Sequence, residues 1–191
     1  LLIGFPSVSM HDENYMAALG FSGLFGGGMS SRLFQEVREK RGLCYAIYSS
    51  VWGLKDTGML AVHAATGSRM VEELAGVVAG ELKALAEAGP EASELQRSKA
   101  QLKAGLLMAL ESSSVRAEQM ARNLLSHNRI ISPAELTRQV DAVTIDKAQR
   151  VAGQLLNSKA AIALVGSGRK SKAQAEAVSE AFERLRGSLT G

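Results

Sequence analysis

The sequence predicts an α+β fold, a layer sandwich in which helices pack on one face of a mainly antiparallel sheet. Three observations predict it. Residues 44–52 and 57–66 are two β-prone runs joined by the short turn Gly53-Leu54-Lys55-Asp56, which leaves no room for a crossover, so the two strands are antiparallel. Helix-period apolar stripes fill nearly all of residues 68–156. Short apolar runs without that period, residues 1–7 and 160–165, lie at either side of this pattern.

The elements follow in order. Residues 1–7 read as a strand that Pro6 ends or confines to an edge. Asp12 reads as the N-cap of a helix over residues 13–24, whose Gly20 and Gly23 leave room for the backbone of a neighbouring helix. A glycine run, Gly26-Gly27-Gly28, precedes a helix expected over residues 30–40, with Met29, Leu33, Phe34 and Val37 on its apolar face. Ser30 or Ser31 would cap it, and Gly42 would stop it after the cationic turn of Arg38, Lys40 and Arg41. Beyond the strand pair, Ser68 opens a helix striped by Met70, Leu74, Val77, Val78, Leu82 and Leu85 and stopped by Gly89-Pro90. The next helix turns Leu95, Leu102, Leu106 and Leu110 inward and Arg97, Lys99 and Lys103 outward, and Ser113 or Ser114 opens another carrying Met120, Leu124 and Leu125. Ser132-Pro133-Ala134-Glu135 is a capping box with proline at the first helical position, and Thr144 opens the helix that follows. Residues 160–165 are expected as a buried strand closed by Gly166-Ser167-Gly168. Domain organisation is then one domain over residues 1–168, with a basic linker and a polar, alanine-rich tail helix over 169–191.

Composition excludes several classes. A net charge of +3 with three Tyr, five Phe and one Trp is a poor footprint for nucleic acid. No apolar run approaches the ~20 residues that span a bilayer. Cys44 is alone, so neither a disulfide framework nor a cysteine metal cluster is expected, and a reducing compartment, the cytoplasm or alternatively the mitochondrial matrix, is the expected location. The first residue, Leu1, stands at the start of an apolar strand without a lead-in, so a piece of a longer protein is expected.

The run from Gly26 through Met29, Ser31, Arg32, Leu33, Phe34, Glu36, Arg38, Gly42 and Leu43 to Tyr45 resembles the signature of the pitrilysin/insulinase family of zinc metallopeptidases, in its mitochondrial-processing-peptidase-like branch. The likeness continues through Asp56-Thr57-Gly58, Glu94-Leu95, Lys99-Ala100, Glu111-Ser112-Ser113 and Val143-Thr144. It implies two homologous halves closing around a peptide, with zinc held by an H-x-x-E-H motif in the N-terminal half. That motif needs histidines on adjacent helical turns. Here His11, His63 and His127 are far apart in sequence, so the chain resembles the C-terminal, zinc-free half, with no cofactor of its own and zinc in the partner half. His11-Asp12-Glu13 reads as a helix start, His63 as a half-packed strand residue and His127 as a helix-end cation.

The resemblance assigns roles to Arg38 and Tyr45, which in the family reach across the cleft to hold the substrate carbonyl and its oxyanion; a guanidinium fork and a phenol O–H are donors suited to that charge. Tyr48, three residues on, falls on the opposite sheet face, so Tyr45 is the one expected at the cleft. For Gly26, Gly27 and Gly28 two readings stand side by side, a tight turn and a peptide-approach loop; no lysine follows to make a phosphate loop. Cys44 reads as a small buried residue. Two functions remain: the substrate-clamping domain of a zinc metalloendopeptidase, inactive alone and partnered by a zinc-bearing half and a peptide, or a non-catalytic scaffold subunit of the same family. Either would expose the surface that meets the other half and favour self-association.

Overall fold

The computed structural model describes residues 1–166 and 168–187. In chain order they form β1 (Leu2–Ser7), α1 (Tyr15–Gly26), a π-helical segment (Phe34–Glu39), β2 (Ala46–Gly53), β3 (Gly58–Ala65), a 3-10 turn (Ser68–Met70), α2 (Val71–Ala88), α3 (Ala92–Ala109), α4 (Ser113–His127), α5 (Pro133–Asp141), α6 (Ile145–Asn157), β4 (Ala161–Ala163), a second 3-10 turn (Gly168–Lys170) and α7 (Ser171–Gly187). The sheet runs β2-β3-β1-β4 with every pairing antiparallel. The expected α+β layer sandwich is the fold observed.

Strand alternation separates the two faces of the sheet. Ile3, Phe5, Ile47, Leu60 and Val62 point into the helical layer and are buried. Tyr48 and Trp52 point the other way and remain about half exposed. β1 is a central strand rather than an edge, because β3 pairs along its whole length. Its Pro6 is tolerated because β4 ends opposite Gly4, so the missing N–H lies beyond that pairing.

Local chemistry sets most boundaries, with informative shifts. Asp12 accepts hydrogen bonds from the backbone and side-chain nitrogens of Asn14 at 2.7 and 3.1 Å, forming a turn ahead of the helix, so α1 begins at Tyr15. Gly23 admits α3 as expected: a Cβ there would stand 2.3 Å from the Ser98 Oγ, which donates to the Gly20 carbonyl at 2.7 Å. Ser112, one residue earlier than expected, caps α4 by accepting from the Val115 amide. Ser132 and Thr144 cap α5 and α6 as expected, although Glu135 pairs with Arg129 instead of closing the box.

Packing overrides periodicity in several places. Met70 is 42% exposed rather than in the core. Lys99 is buried rather than outward: its Nζ donates to the carbonyls of Asp141 at 2.7 Å and Val143 at 2.9 Å, where α5 ends. Leu102, Leu106 and Leu110 are only partly buried, and α4 buries no residue at all. The expected six-residue buried strand near the end is the three-residue edge strand β4, with Ala161 and Ala163 exposed on the open face. The polar helix expected as a tail instead joins the core as α7. Val178 is fully buried, and the Phe182 ring meets Phe5 edge-on at 5.6 Å. Ser167, in the expected closing turn, and residues 188–191, in the expected tail, lie outside the described residues.

Candidate functional site

The site begins where α1 ends. Gly26 is buried against β2, and a Cβ there would stand 2.6 Å from the Ser49 backbone nitrogen, so close helix–strand packing accounts for this glycine. Gly27 is exposed, and its N–H donates to the Gly23 carbonyl at 3.0 Å, ending α1. Gly28 borders Gln101. Two side chains fasten this loop to the next helix: the Ser31 Oγ donates to the Gly28 carbonyl at 2.6 Å, and the Gln35 Nε2 to the Met29 carbonyl at 2.7 Å. Ser31 is therefore a donor to the loop rather than the expected helix cap. Met29, expected on the apolar face, is 76% exposed.

From Phe34 to Glu39 the helix is π-wound, the Lys40 N–H donating to the Gln35 carbonyl five residues back at 2.9 Å. Leu33 and Val37 are fully buried, while Arg38 lies toward solvent with 40% of its side chain exposed. Its start is anchored by Arg32, whose Nε and second terminal nitrogen donate to the two oxygens of Glu94 at 2.7 and 2.9 Å. Gly42, at φ 62°, makes the left-handed turn that ends the segment.

Cations at this turn are neutralised unequally. Glu36 accepts from Lys40 at 2.5 Å and Arg41 at 2.7 Å, and these bonds hold its carboxyl below the usual range. Arg38 has only a 3.9 Å approach to Glu39, and its guanidinium stacks over the Phe34 ring at 4.6 Å. β2 begins at Ala46, two residues later than expected, so Tyr45 stands just before the strand. The Tyr45 N–H donates to the Ala65 carbonyl at 2.9 Å while its side chain is 84% exposed. Burial pushes the Cys44 thiol up, against the pull of the Arg38 charge. Cys44 is thus half-buried and a poor nucleophile. Arg38 and Tyr45 precede β2, one on the π-helix and one immediately before the strand.

The histidines do not build a zinc site. His63 is half-buried on β3, stacked on Tyr48. His11 and His127, 116 positions apart in sequence, meet edge-to-face with ring centroids at 4.8 Å in a cleft of about 790 Å³ between α1 and α4, a contact that sequence spacing did not reveal. His127 ends α4 as expected, and burial, His11 and Arg129 push its pKa down against the pull of Glu135. Among the described residues no group of three or more His, Cys, Asp or Glu side chains is placed to hold a metal ion. The described His, Cys, Asp and Glu side chains are thus not arranged to fit zinc.

Comparison with known proteins agrees with this geometry. Residues 1–102 match the family model described as the peptidase M16 inactive domain. The chain is 32% identical over 165 residues to the uncharacterized zinc protease YmxG of Bacillus subtilis, covering 86% of this chain and 40% of that protein. It is 38% identical over 141 residues to an uncharacterized zinc protease of Mycobacterium bovis, covering 74% and 32%. The chain therefore spans less than half the length of these relatives. Among solved structures, a conserved protein from Enterococcus faecalis V583 superposes with a TM-score of 0.70 at 26% identity, over 80% of this chain and 36% of that one. A chain of complex III2 from Candida albicans shares the fold, with a TM-score of 0.78 at 17% identity over 93% and 45%. With its motif-bearing π-helix intact and no zinc-binding cluster among the described residues, the chain belongs to the M16 peptidase family, as the inactive domain of its C-terminal half.

Proposed function

We propose that this domain clamps substrate for a zinc metalloendopeptidase of processing-peptidase type and is inactive alone. In this reading its partner is a zinc-bearing N-terminal half, in the same chain or a separate subunit, and the substrate is an extended peptide. Zinc in that half supplies the activated water; this chain supplies hydrogen-bond donors. The observation that carries the reading is the placement of Arg38 and Tyr45 at the entry to β2 with donors unclaimed. The phenol is 84% exposed, and the guanidinium is propped on Phe34 while its neighbours Lys40 and Arg41 are held by Glu36. Closure of a second half over this surface would exclude water and strengthen both donors toward an oxyanion. Gly27 and Gly28 lie on the rim of the same segment, beside the path proposed for the peptide, but the glycines themselves answer contacts within the domain: a Cβ would meet the Ser49 nitrogen at 2.6 Å from Gly26, the Gly23 backbone at 2.6 Å from Gly27 and the Gln101 side chain at 3.1 Å from Gly28. A reducing compartment, the cytoplasm or the mitochondrial matrix, suits the lone Cys44.

The test is Tyr45→Phe in the assembly of this domain with a zinc-bearing half. It removes one O–H and keeps the ring. The expected outcome is a fall in kcat of about 10²–10³-fold with little change in KM, the loss typical of one oxyanion donor. Arg38→Ala is expected to do at least as much harm. Unchanged kcat in the Tyr45→Phe assembly would overturn the reading in favour of a scaffold role.

A further inference from the structure

We propose that Tyr48, Trp52 and His63, on the open face of the sheet, form a subsite for one apolar, preferably aromatic, side chain of an extended peptide. The rings are assembled as a unit. Tyr48 and His63, directly paired across β2 and β3, stack face to face with centroids at 4.6 Å and an interplanar angle of 8°. Trp52 meets the same imidazole edge-on at 5.8 Å and 81°. The Ser50 Oγ lies 3.1 Å from the His63 Nε2, fixing the plane of the ring that the other two share. Yet Tyr48 keeps 51% and Trp52 47% of its surface in solvent, so two aromatic bodies stand ready to bury further area.

Charge selects the occupant. On this face the rings are bordered by Leu2, Gly4, Pro6, Met59, Ala61 and Ala65, none of which carries a charged side chain. Burial holds the His63 imidazole toward its neutral form. An apolar or aromatic side chain buries ring area here at no cost in charge, whereas an acidic one would lose hydration over ring faces that carry partial negative charge. Position selects an extended backbone. β2 is the edge strand of the sheet and carries Tyr45 just before its start. At a strand rise of ~3.3 Å, Tyr48 lies about 10 Å and Trp52 about 23 Å further on. A peptide running along β2 with its carbonyl at Tyr45 therefore brings a side chain some three residues away onto the stacked pair. This placement relative to the scissile bond rests on the function proposed above; the subsite itself does not.

Trp52 is the sole tryptophan, so its emission reports on the site directly. The experiment titrates this chain with an end-blocked, uncharged nine-residue peptide containing one phenylalanine, and with the same peptide carrying alanine there. A saturable blue shift is expected with the phenylalanine peptide, with binding at least about tenfold weaker for the alanine peptide, as for loss of one buried aromatic side chain. Tyr48→Ala, at an exposed position, should weaken the phenylalanine peptide to a similar extent while leaving the far-ultraviolet circular dichroism unchanged. Equal affinity for the two peptides, tighter binding of a charged peptide, or no emission change would overturn the proposal. So would an emission shift that follows chain concentration without peptide, which would mean that a second copy covers the face. Because the readout is binding to this chain alone, it stands or falls independently of any catalytic effect at Tyr45.

Discussion

His63 shows how a single side chain here resists charging. Its folded-state pKa lies below the ordinary value of about 6.5, chiefly by burial. Below that ordinary value the unfolded chain binds more protons than the folded one. Stability therefore falls as pH drops from about 6.5 toward the folded-state pKa, and the loss is complete beneath it. His63→Phe keeps a ring against Tyr48 but cannot protonate. Its urea midpoint should consequently fall less between pH 7 and pH 5 than that of the parent chain; equal falls would remove His63 as a source of acid lability. Such facts were unevenly legible. Arg38 and Tyr45 stood out only through a motif likeness, since a helix-end arginine and a strand-proximal tyrosine are ordinary features. The pairing of His11 with His127 and the stacking of Tyr48 on His63 depend on tertiary contacts that spacing along the chain does not encode.

Lys99 joins two helices in a way its own helix does not reveal. From α3 its ammonium donates to the last carbonyl of α5, Asp141, at 2.7 Å and to the Val143 carbonyl just beyond it at 2.9 Å, where unpaired acceptors and the helix dipole favour a cation. Lys99→Met keeps the aliphatic stem and removes the donors. The expected cost is about 2–3 kcal/mol, that of charge-assisted hydrogen bonds lost from a buried site, read as a lowered urea midpoint with unchanged slope. A change below ~0.5 kcal/mol would show that water replaces the ammonium there. Caps made by near neighbours, Ser132 with Pro133 and Thr144, were legible because their chemistry is complete within four residues. The π-helix was not: nothing local distinguishes it from an α-helix, and it exists where Leu33 and Val37 are both buried while Arg32 is tied to Glu94. Lys99 and β4 were misread for the same reason, periodicity being blind to which neighbour arrives.

Across the whole molecule, apolar exposure gathers on α3 and α4. Leu107, Met108, Met120, Leu124 and Leu125 are 49%, 68%, 41%, 50% and 87% exposed. A patch of this kind on an isolated domain drives association. Light scattering of the purified chain is expected to show a dimer or larger species growing with concentration, and Leu124→Glu with Leu125→Glu to suppress it; a monomer at every accessible concentration would count against this surface. A different consequence follows from the place of β1. Its pairing with β3 spans some sixty positions, but its other edge waits for β4, about 160 positions later. On a ribosome adding about 5–20 residues per second, that interval lasts roughly 8–32 s. Throughout it Leu2, Ile3 and Gly4 offer an unpaired strand edge, and Phe5 lacks the Phe182 ring that finally covers it. The nascent domain therefore carries an open strand edge until its last fifth is made, so its vulnerability to wrong pairing belongs to synthesis as much as to the finished fold.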